Sequence, residues 1–173
     1  MILPIVAYPD KRLKQKSQNV EAFDAELHTF LDDMYETMIA SNGIGLAAIQ
    51  VAVPKNILIL NIPDEEDEQT KDTLIEMINP VIHAKEGTTS YQEGCLSVPG
   101  FYEEVERFEN IKVTYCDRHA NVHTIEAEGL LSIAIQHEMD HLLGILFIDK
   151  LSYARRKKFE KEYKRLQKEK KRV

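Results

Sequence analysis

The chain has 173 residues, of which 43% are hydrophobic and 29% are charged, and its formal net charge at pH 7 is −7. This length suits one soluble globular domain that buries a sufficient core without stabilisation by disulfides or metals. No apolar run is long enough to span a membrane. Two cysteines cannot form a disulfide framework, and the short apolar start from Met1 to Ala7 lacks the features of a signal peptide, so we expect a reducing, cytoplasmic location.

The first predicted element is an amphipathic helix from Ala22 to Ala40, which ends before Asn42-Gly43. The next segment, Gly43 to Val51, contains two glycines separated by one residue, a spacing that allows tight turns or close approach to a ligand. The same segment is also compatible with a helix end followed by a buried strand. Ile57 to Leu60 is a run of four apolar residues and predicts a buried strand.

An acidic loop, Pro63 to Glu68, comes next, and nothing in it indicates a function beyond solubility. Short strands are then predicted around 74–82, 102–105, 111–115 and 122–127. Hairpin-like strands mixed with helices favour an α+β fold. We expect mostly antiparallel sheets around a buried metal-binding helix, with an N-terminal helix and a basic C-terminal helix.

The segment Glu93 to Gly100 has a glycine near its start and a proline and a glycine at its end. These residues predict a loop or a strand end. It contains Cys95, whose thiolate would suit Zn²⁺ or Fe²⁺ together with two imidazoles. The other cysteine, Cys116, ends a strand-like alternation, and we interpret it as structural.

The helix predicted after Gly129 carries the most informative pattern, Gln136-His137-Glu138-Met139-Asp140-His141. On a helix, positions i and i+4 share one face, so His137 and His141 can bind one metal ion. Glu138 is then placed to accept and donate protons. The apolar residues around the pattern indicate a buried helix. The alternative is a buried hydrogen-bonded network without a metal.

Two histidines do not complete a catalytic metal site, which usually has three protein ligands and an open position. No histidine follows His141, and Phe147 stands where the longer metallopeptidase pattern has its third histidine. Asp149 and Glu160 are weak downstream candidates, whereas Cys95 is the upstream candidate. Gln136 and Asp140 could orient the imidazoles or simply be exposed polar residues.

The last twenty residues hold 11 of the 22 basic residues and only three acidic ones. Phe159, Tyr163 and Leu166 recur at helical spacing there, which predicts a basic helix with a narrow apolar stripe. That helix either docks on the acidic body or attaches to nucleic acid by its charge. We therefore divide the chain into a catalytic part, 1–153, and a basic helical extension of the same domain, 154–173.

Three motifs, in this order, resemble those of the peptide deformylase family. The G-x-G-L-A-A-x-Q motif matches Gly43 to Gln50, E-G-C-L-S matches Glu93 to Ser97, and Q-H-E-x-D-H matches Gln136 to His141. The likeness covers nearly the whole chain. Two positions depart from the family pattern: Ala52 replaces a frequent glycine, and Tyr102 replaces an arginine at the rim, which could alter peptide preference.

The resemblance implies a hydrolase that removes the formyl group from the N-terminal formylmethionine of new polypeptides and releases formate. It implies one divalent ion per chain on Cys95, His137 and His141, natively Fe²⁺, with Zn²⁺, Ni²⁺ or Co²⁺ as possible substitutes. Glu138 would act as general base and then acid. The side-chain amide of Gln50 and the backbone N–H of Leu96 would stabilise the oxyanion.

The resemblance also implies a methionine pocket, although plain core packing explains its residues almost as well. The implied lining is Ile44, Leu130, Ile133 and Ala134, and Gly43 and Gly45 would let the chain edge pair with the peptide backbone as an added strand. The implied partners are formylmethionyl nascent peptides and the ribosome, which the basic helix would contact; no membrane and no specific nucleic-acid sequence is expected.

Two other interpretations stay open on the residues alone. A zincin-type peptidase would cleave internal peptide bonds and would not need Cys95. A ribosome- or RNA-binding protein with a structural metal would not need Glu138, and would lose its function with residues 154–173.

Overall fold

One five-stranded antiparallel sheet and three α-helices build the fold in the computed structural model, which describes residues 1–172. The strands follow one another in the sheet in chain order, β1 to β5. This arrangement confirms the α+β prediction. The elements are α1 (Ala25–Ala40), β1 (Gly45–Ala47), β2 (Ile57–Leu60), β3 (Ile75–Cys95), β4 (Val98–Cys116), β5 (Val122–Glu128), α2 (Gly129–Leu142) and α3 (Tyr153–Lys171).

Strand β2 is buried on both faces of the sheet. Ile57 and Ile59 pack in the cluster that contains α1, whereas Leu58 and Leu60 pack in the cluster that contains α2. Successive side chains of a strand point to opposite faces, so a strand between two helical layers must be apolar at every position. This explains why four consecutive residues of β2 are aliphatic and buried.

Strands β3 and β4 form one hairpin that is much longer than the short strands the sequence predicts. Its middle part runs through exposed residues around Lys85 to Thr88, where no alternation of apolar and polar side chains marks a strand. Near the turn, the register passes from Glu93↔Glu103 to Cys95↔Val98. Strand β4 therefore has extra residues at 99–102, and this bulge lines the cavity described below.

The two outer helices begin at capping side chains. Asp24 accepts a hydrogen bond from the backbone N–H of Leu27, so α1 begins at Ala25 rather than at the predicted Ala22. Ser152 caps α3, which packs through Phe159 against Tyr8 and Phe101. Most of the predicted basic helix is therefore confirmed, and its last residue, Val173, lies outside the described residues.

Helix α2 packs on the face of the sheet opposite α1, where Ala134 and Ile135 join the buried cluster around Leu58 and Met77. Gly129 begins this helix at a φ of 60°. Among residues 1–172, no helix is both long and apolar enough to cross a membrane.

Gly144 follows the C-cap residue of α2 and permits a close approach between two backbone segments. Its φ is 78°, its N–H donates to the His141 carbonyl, and a Cβ there would collide with the backbone carbonyl of Lys14. Gly129 has a similar positive φ but open space at the Cβ position. A side chain at Gly129 would therefore meet only backbone strain, whereas a side chain at Gly144 would meet both backbone strain and a steric collision.

We expect Gly144→Ala to lower the free energy of unfolding by at least about 3 kcal/mol, because collision with Lys14 adds to a left-handed strain of about 1–2 kcal/mol. Gly129→Ala should cost only that strain. Urea denaturation of both variants measures the difference. Equal destabilisation would show that the Lys14 contact relaxes without cost.

Candidate metal centre

Cys95, His137 and His141 meet at one point between the end of β3 and helix α2. One potential ligand atom from each lies within 4.8 Å of the others, and Cys95 Sγ is 3.4 Å from His141 Nε2. Both histidines are buried, and Cys95 is half-buried. A thiolate and two imidazoles at this spacing are a donor set suited to Fe²⁺ or Zn²⁺.

A chain of buried charged groups fixes the orientation of His137. Its Nδ1 lies 2.8 Å from Glu93 Oε1, and the same carboxylate accepts two hydrogen bonds from Arg107, at 2.8 and 2.9 Å. Arg107 also donates to Asp140, one residue before His141. With Nδ1–H donated to Glu93, Nε2 of His137 faces the other two ligands.

Burial alone would raise the pKa of Glu93, but hydrogen bonds from Arg107 and His137 outweigh it and hold the pKa below its ordinary value. Burial lowers the pKa of His141 well below its ordinary value. His141 is therefore neutral, which is the form that binds metal.

The downstream carboxylates that the sequence left open as ligands lie in other contacts. Asp149 accepts from the backbone N–H of Leu146 and pairs with Arg156, and Glu160 pairs with Arg156 as well. Phe147 packs its ring against the His137 ring, with centroids 6.1 Å apart. Cys95 is thus the residue that joins the two histidines in the described part of the chain.

Glu138 is a buried carboxyl beside the cluster. Its Oε1 is 3.7 Å from His137 Nε2, and its Oε2 has no hydrogen-bond partner among residues 1–172. Burial raises the pKa of Glu138 to about 7. A carboxyl with a pKa near neutral and a free oxygen can accept and return a proton, and a bound cation would favour its ionised form.

The amide of Gln50 is locked in one orientation next to Cys95. Its Oε1 accepts the Ala47 backbone N–H at 2.9 Å, so its Nε2 must point the other way. That Nε2 donates to Ser97 Oγ at 3.0 Å and lies 3.5 Å from Cys95 Sγ. The side chain therefore presents a fixed N–H donor to the cluster.

A cavity of about 490 Å³ opens onto the cluster. Eleven of the twelve residues that the sequence predicts for the site line it, and only His141, which is fully buried, does not. The eleven are Gly43, Ile44, Gly45, Gln50, Cys95, Leu96, Leu130, Ile133, Ala134, His137 and Glu138. The bulge residues Phe101 and Tyr102 line it too.

Two glycines of this lining allow β1 to approach the site closely. A Cβ on Gly45 would lie 3.1 Å from Glu138 Oε1, and one on Gly43 would lie 2.8 Å from Leu96 Cδ1. Side chains at these positions would push the strand edge away from Glu138 and Leu96.

Sequence reasoning missed two residues of the centre. Glu93 lies within a recognised motif, two residues before Cys95, and that position is the signal that could have identified it. Arg107 lies in the middle of β4 with no motif around it. Of the residues proposed to orient imidazoles, Asp140 contributes through Arg107, whereas Gln136 binds the backbone N–H and carbonyl of Phe108 instead.

Comparisons with known proteins agree with this geometry. Residues 2–157 match the family model described as Polypeptide deformylase. A peptide deformylase of Nautilia profundicola is 60% identical over 169 residues, covering 98% of this chain and 97% of that protein.

Solved structures extend the likeness to the fold. A peptide deformylase from Legionella pneumophila is similar with a TM-score of 0.87 and 39% identity, covering 96% of this chain and 98% of that one. A class I type b peptide deformylase from Acinetobacter baumannii, solved with Met-Ala-Ser bound, has a TM-score of 0.81 and 31% identity, covering 87% and 99%.

We expect Cys95→Ala to lose stoichiometric binding of Co²⁺ or Ni²⁺, because two imidazoles alone hold a divalent ion much more weakly than three ligands. Cys116→Ala is the matched control, since this free cysteine packs near α1, away from the cluster. Elemental analysis of both variants after gel filtration measures the difference. Full metal content in Cys95→Ala would contradict a three-ligand site.

Proposed function

Because the chain belongs to the peptide deformylase family of hydrolases, we propose that it removes the formyl group from the N-terminal formylmethionine of new polypeptides and releases formate. The observation that carries this proposal is the convergence of Cys95, His137 and His141 with a proton-accepting carboxyl and a fixed amide donor in one cavity. The catalytic chemistry is assigned to residues 1–153.

The donor set fits a resident divalent ion. His141 is neutral, His137 is oriented by Glu93, and both flank a cysteine sulfur. We propose one ion per chain, Fe²⁺ natively, with Zn²⁺, Ni²⁺ or Co²⁺ able to replace it. Such an ion, when bound, supplies a water of lowered pKa at neutral pH.

Glu138 is proposed to move the protons. It takes one from the attacking water and later gives one to the leaving amine, acting as general base and then as general acid. Its buried position supports this role, because Oε2 has no competing partner within residues 1–172. Gly45 keeps the strand edge close to Glu138, so the reacting amide can lie near that carboxyl.

The oxyanion that forms when the formyl carbon is attacked is proposed to accept hydrogen bonds from Gln50 Nε2 and from the backbone N–H of Leu96. The hydrogen bond from Ala47 to Gln50 Oε1 supports this, since it holds the amide ready before the reaction. Removing one such donor typically costs about 2.7–4 kcal/mol of transition-state stabilisation.

The substrate is proposed to lie as an added strand along the edge of β1, where Gly43 and Gly45 would let that edge pair with the peptide backbone. Strand β1 is the first strand of the sheet and pairs only with β2 in the described sheet order. Ile44, Leu130, Ile133 and Ala134 would receive the methionine side chain. The Met-Ala-Ser bound in the Acinetobacter baumannii structure is a peptide of the proposed product class.

We expect the metal-loaded protein to release formate from formyl-Met-Ala-Ser, and Glu138→Gln to lose this activity by about 10²–10⁴-fold, the usual contribution of a general acid–base. The amide keeps the shape of the side chain but cannot accept the proton. Formate release, followed with a coupled assay, measures the effect.

Glu126→Gln provides the matched control, because Glu126 is exposed on β5, and acetyl-Met-Ala-Ser tests selectivity for the formyl group. A Glu138→Gln variant with full activity would refute the assigned proton transfer. No formate from the unsubstituted, metal-loaded protein would refute the proposed function.

The ribosome is the proposed partner of residues 154–173. Lys158, Lys161 and Lys164 are exposed on α3 and form no ion pair among residues 1–172, whereas Arg155 and Arg156 pair with carboxylates. Free cations on one helix suit a phosphate backbone. Acting in the cytoplasm, the protein would thus meet nascent chains as they emerge.

We expect replacement of these three lysines by glutamate to weaken binding to purified ribosomes and to reduce the salt dependence, because up to three phosphate contacts are lost and each contributes about 0.9 to the slope of log K against log salt. Cosedimentation at several salt concentrations measures both quantities. A control with Lys55, Lys85 and Lys112 reversed has the same net charge. Equal weakening in the control would contradict a specific role for α3.

A further inference from the structure

The edge that is proposed to bind the peptide is held in place by the loop between β2 and β3. Gln69 Nε2 donates to the Gly43 carbonyl at 2.9 Å and to the Asn61 carbonyl at 2.7 Å. The backbone N–H of Asn61 donates to the Ile44 carbonyl at 2.8 Å. Two successive carbonyls of the edge are therefore tied to this loop, while Gln69 itself does not line the cavity.

The acidic run before Gln69 is a closed turn. Asp64 Oδ1 accepts the backbone N–H groups of Glu66 and Glu68, both at 2.9 Å, and the backbone N–H of Asp64 donates to the Glu68 carbonyl at 3.0 Å. The sequence suggested only solubility for this run. The structure shows that the turn directly precedes Gln69 and positions it next to the strand edge.

The chain after Gln69 is anchored by a buried side chain. Asn61 is fully buried; its Nδ2 donates to the Thr70 carbonyl at 3.1 Å, and its Oδ1 accepts from Thr73 Oγ1 at 3.0 Å. Gln69 therefore lies between a closed turn and an anchored segment, so its backbone is restrained on both sides.

We propose that Gln69 is a positioning residue for peptide binding, an inference that rests on the proposed function of the same cavity. A peptide strand needs a pairing edge about 4.8 Å away. Gly43 packs against Leu96, since a Cβ there would lie 2.8 Å from Leu96 Cδ1. By fixing the Gly43 carbonyl, Gln69 sets the distance between the β1 edge and Leu96, which lies in the turn between β3 and β4.

The chemistry of the contact makes the proposal specific. Two carbonyl acceptors require two N–H donors, which one carboxamide supplies with its two hydrogens. A glutamate has the same shape but offers only acceptors, so it would face the two carbonyls without a hydrogen bond. A lysine offers three donors and can restore the contact.

The test compares Gln69→Glu, Gln69→Ala and Gln69→Lys in the metal-loaded protein. We expect the KM for formyl-Met-Ala-Ser to rise about three- to tenfold in the first two, the size of one ordinary hydrogen bond, with kcat and metal content nearly unchanged. Gln69→Lys should stay close to the unsubstituted protein. Asp64→Ala, which opens the turn, should change KM in the same direction by less.

Glu65→Gln is the control for loop charge, because Glu65 is exposed in the same turn. The Kd of Met-Ala-Ser, measured by calorimetry, should follow the same order as KM. Unchanged KM and Kd in Gln69→Glu, or an equal rise in Gln69→Lys or Glu65→Gln, would overturn the proposal.

Peptide affinity also separates this inference from the proposed reaction. If the unsubstituted protein releases no formate but the Kd series holds, the reaction fails and the role of Gln69 stands. If the unsubstituted protein does not bind Met-Ala-Ser, the role of Gln69 is overturned as well.

Discussion

The buried guanidinium of Arg107 links the elements that build the candidate metal centre. Its side chain is only 4% exposed, and it joins Glu93 at the end of β3 to Asp140 near the C-terminal end of α2. Removing one partner of such a buried pair typically costs about 3–5 kcal/mol, because the other charge stays buried without compensation. The pairing therefore ties the hairpin to the helix in one relative position, and that position decides whether Cys95 meets the two histidines.

The rest of the site follows from two layers packed on one sheet. Strand β2 is buried on both faces, and β1 pairs with it, so the glycines and Gln50 reach the cavity from one end of the sheet. The β3–β4 hairpin contributes Glu93 and Cys95, and α2 packs against both β1 and β4 and lines the same cavity. Residues separated by about ninety positions in the chain thus meet because strand pairing and helix packing share one core.

The sequence was most informative where side-chain chemistry is periodic or rare. The i, i+4 histidines, the all-apolar β2 and the apolar stripe of the basic helix α3 could all be predicted, because each pattern has one dominant physical interpretation. The length of β3 could not, since Lys85 to Thr88 are exposed and include no apolar side chain that would mark a buried face. Arg107 and Gln69 could not either, because a single arginine or glutamine looks like an ordinary exposed residue until tertiary packing supplies its partners.

Two carboxyl groups in one small region have pKa values shifted in opposite directions by their surroundings. Glu93 and Glu138 are both buried next to His137, but only Glu93 receives hydrogen bonds from a guanidinium. Its pKa is therefore held down, whereas burial raises the pKa of Glu138 to about 7. An ionised carboxylate is suited to orienting an imidazole, and a carboxyl that titrates near neutral pH is suited to moving a proton. In the proposed reaction, the partners of each glutamate rather than its chemical type decide its role.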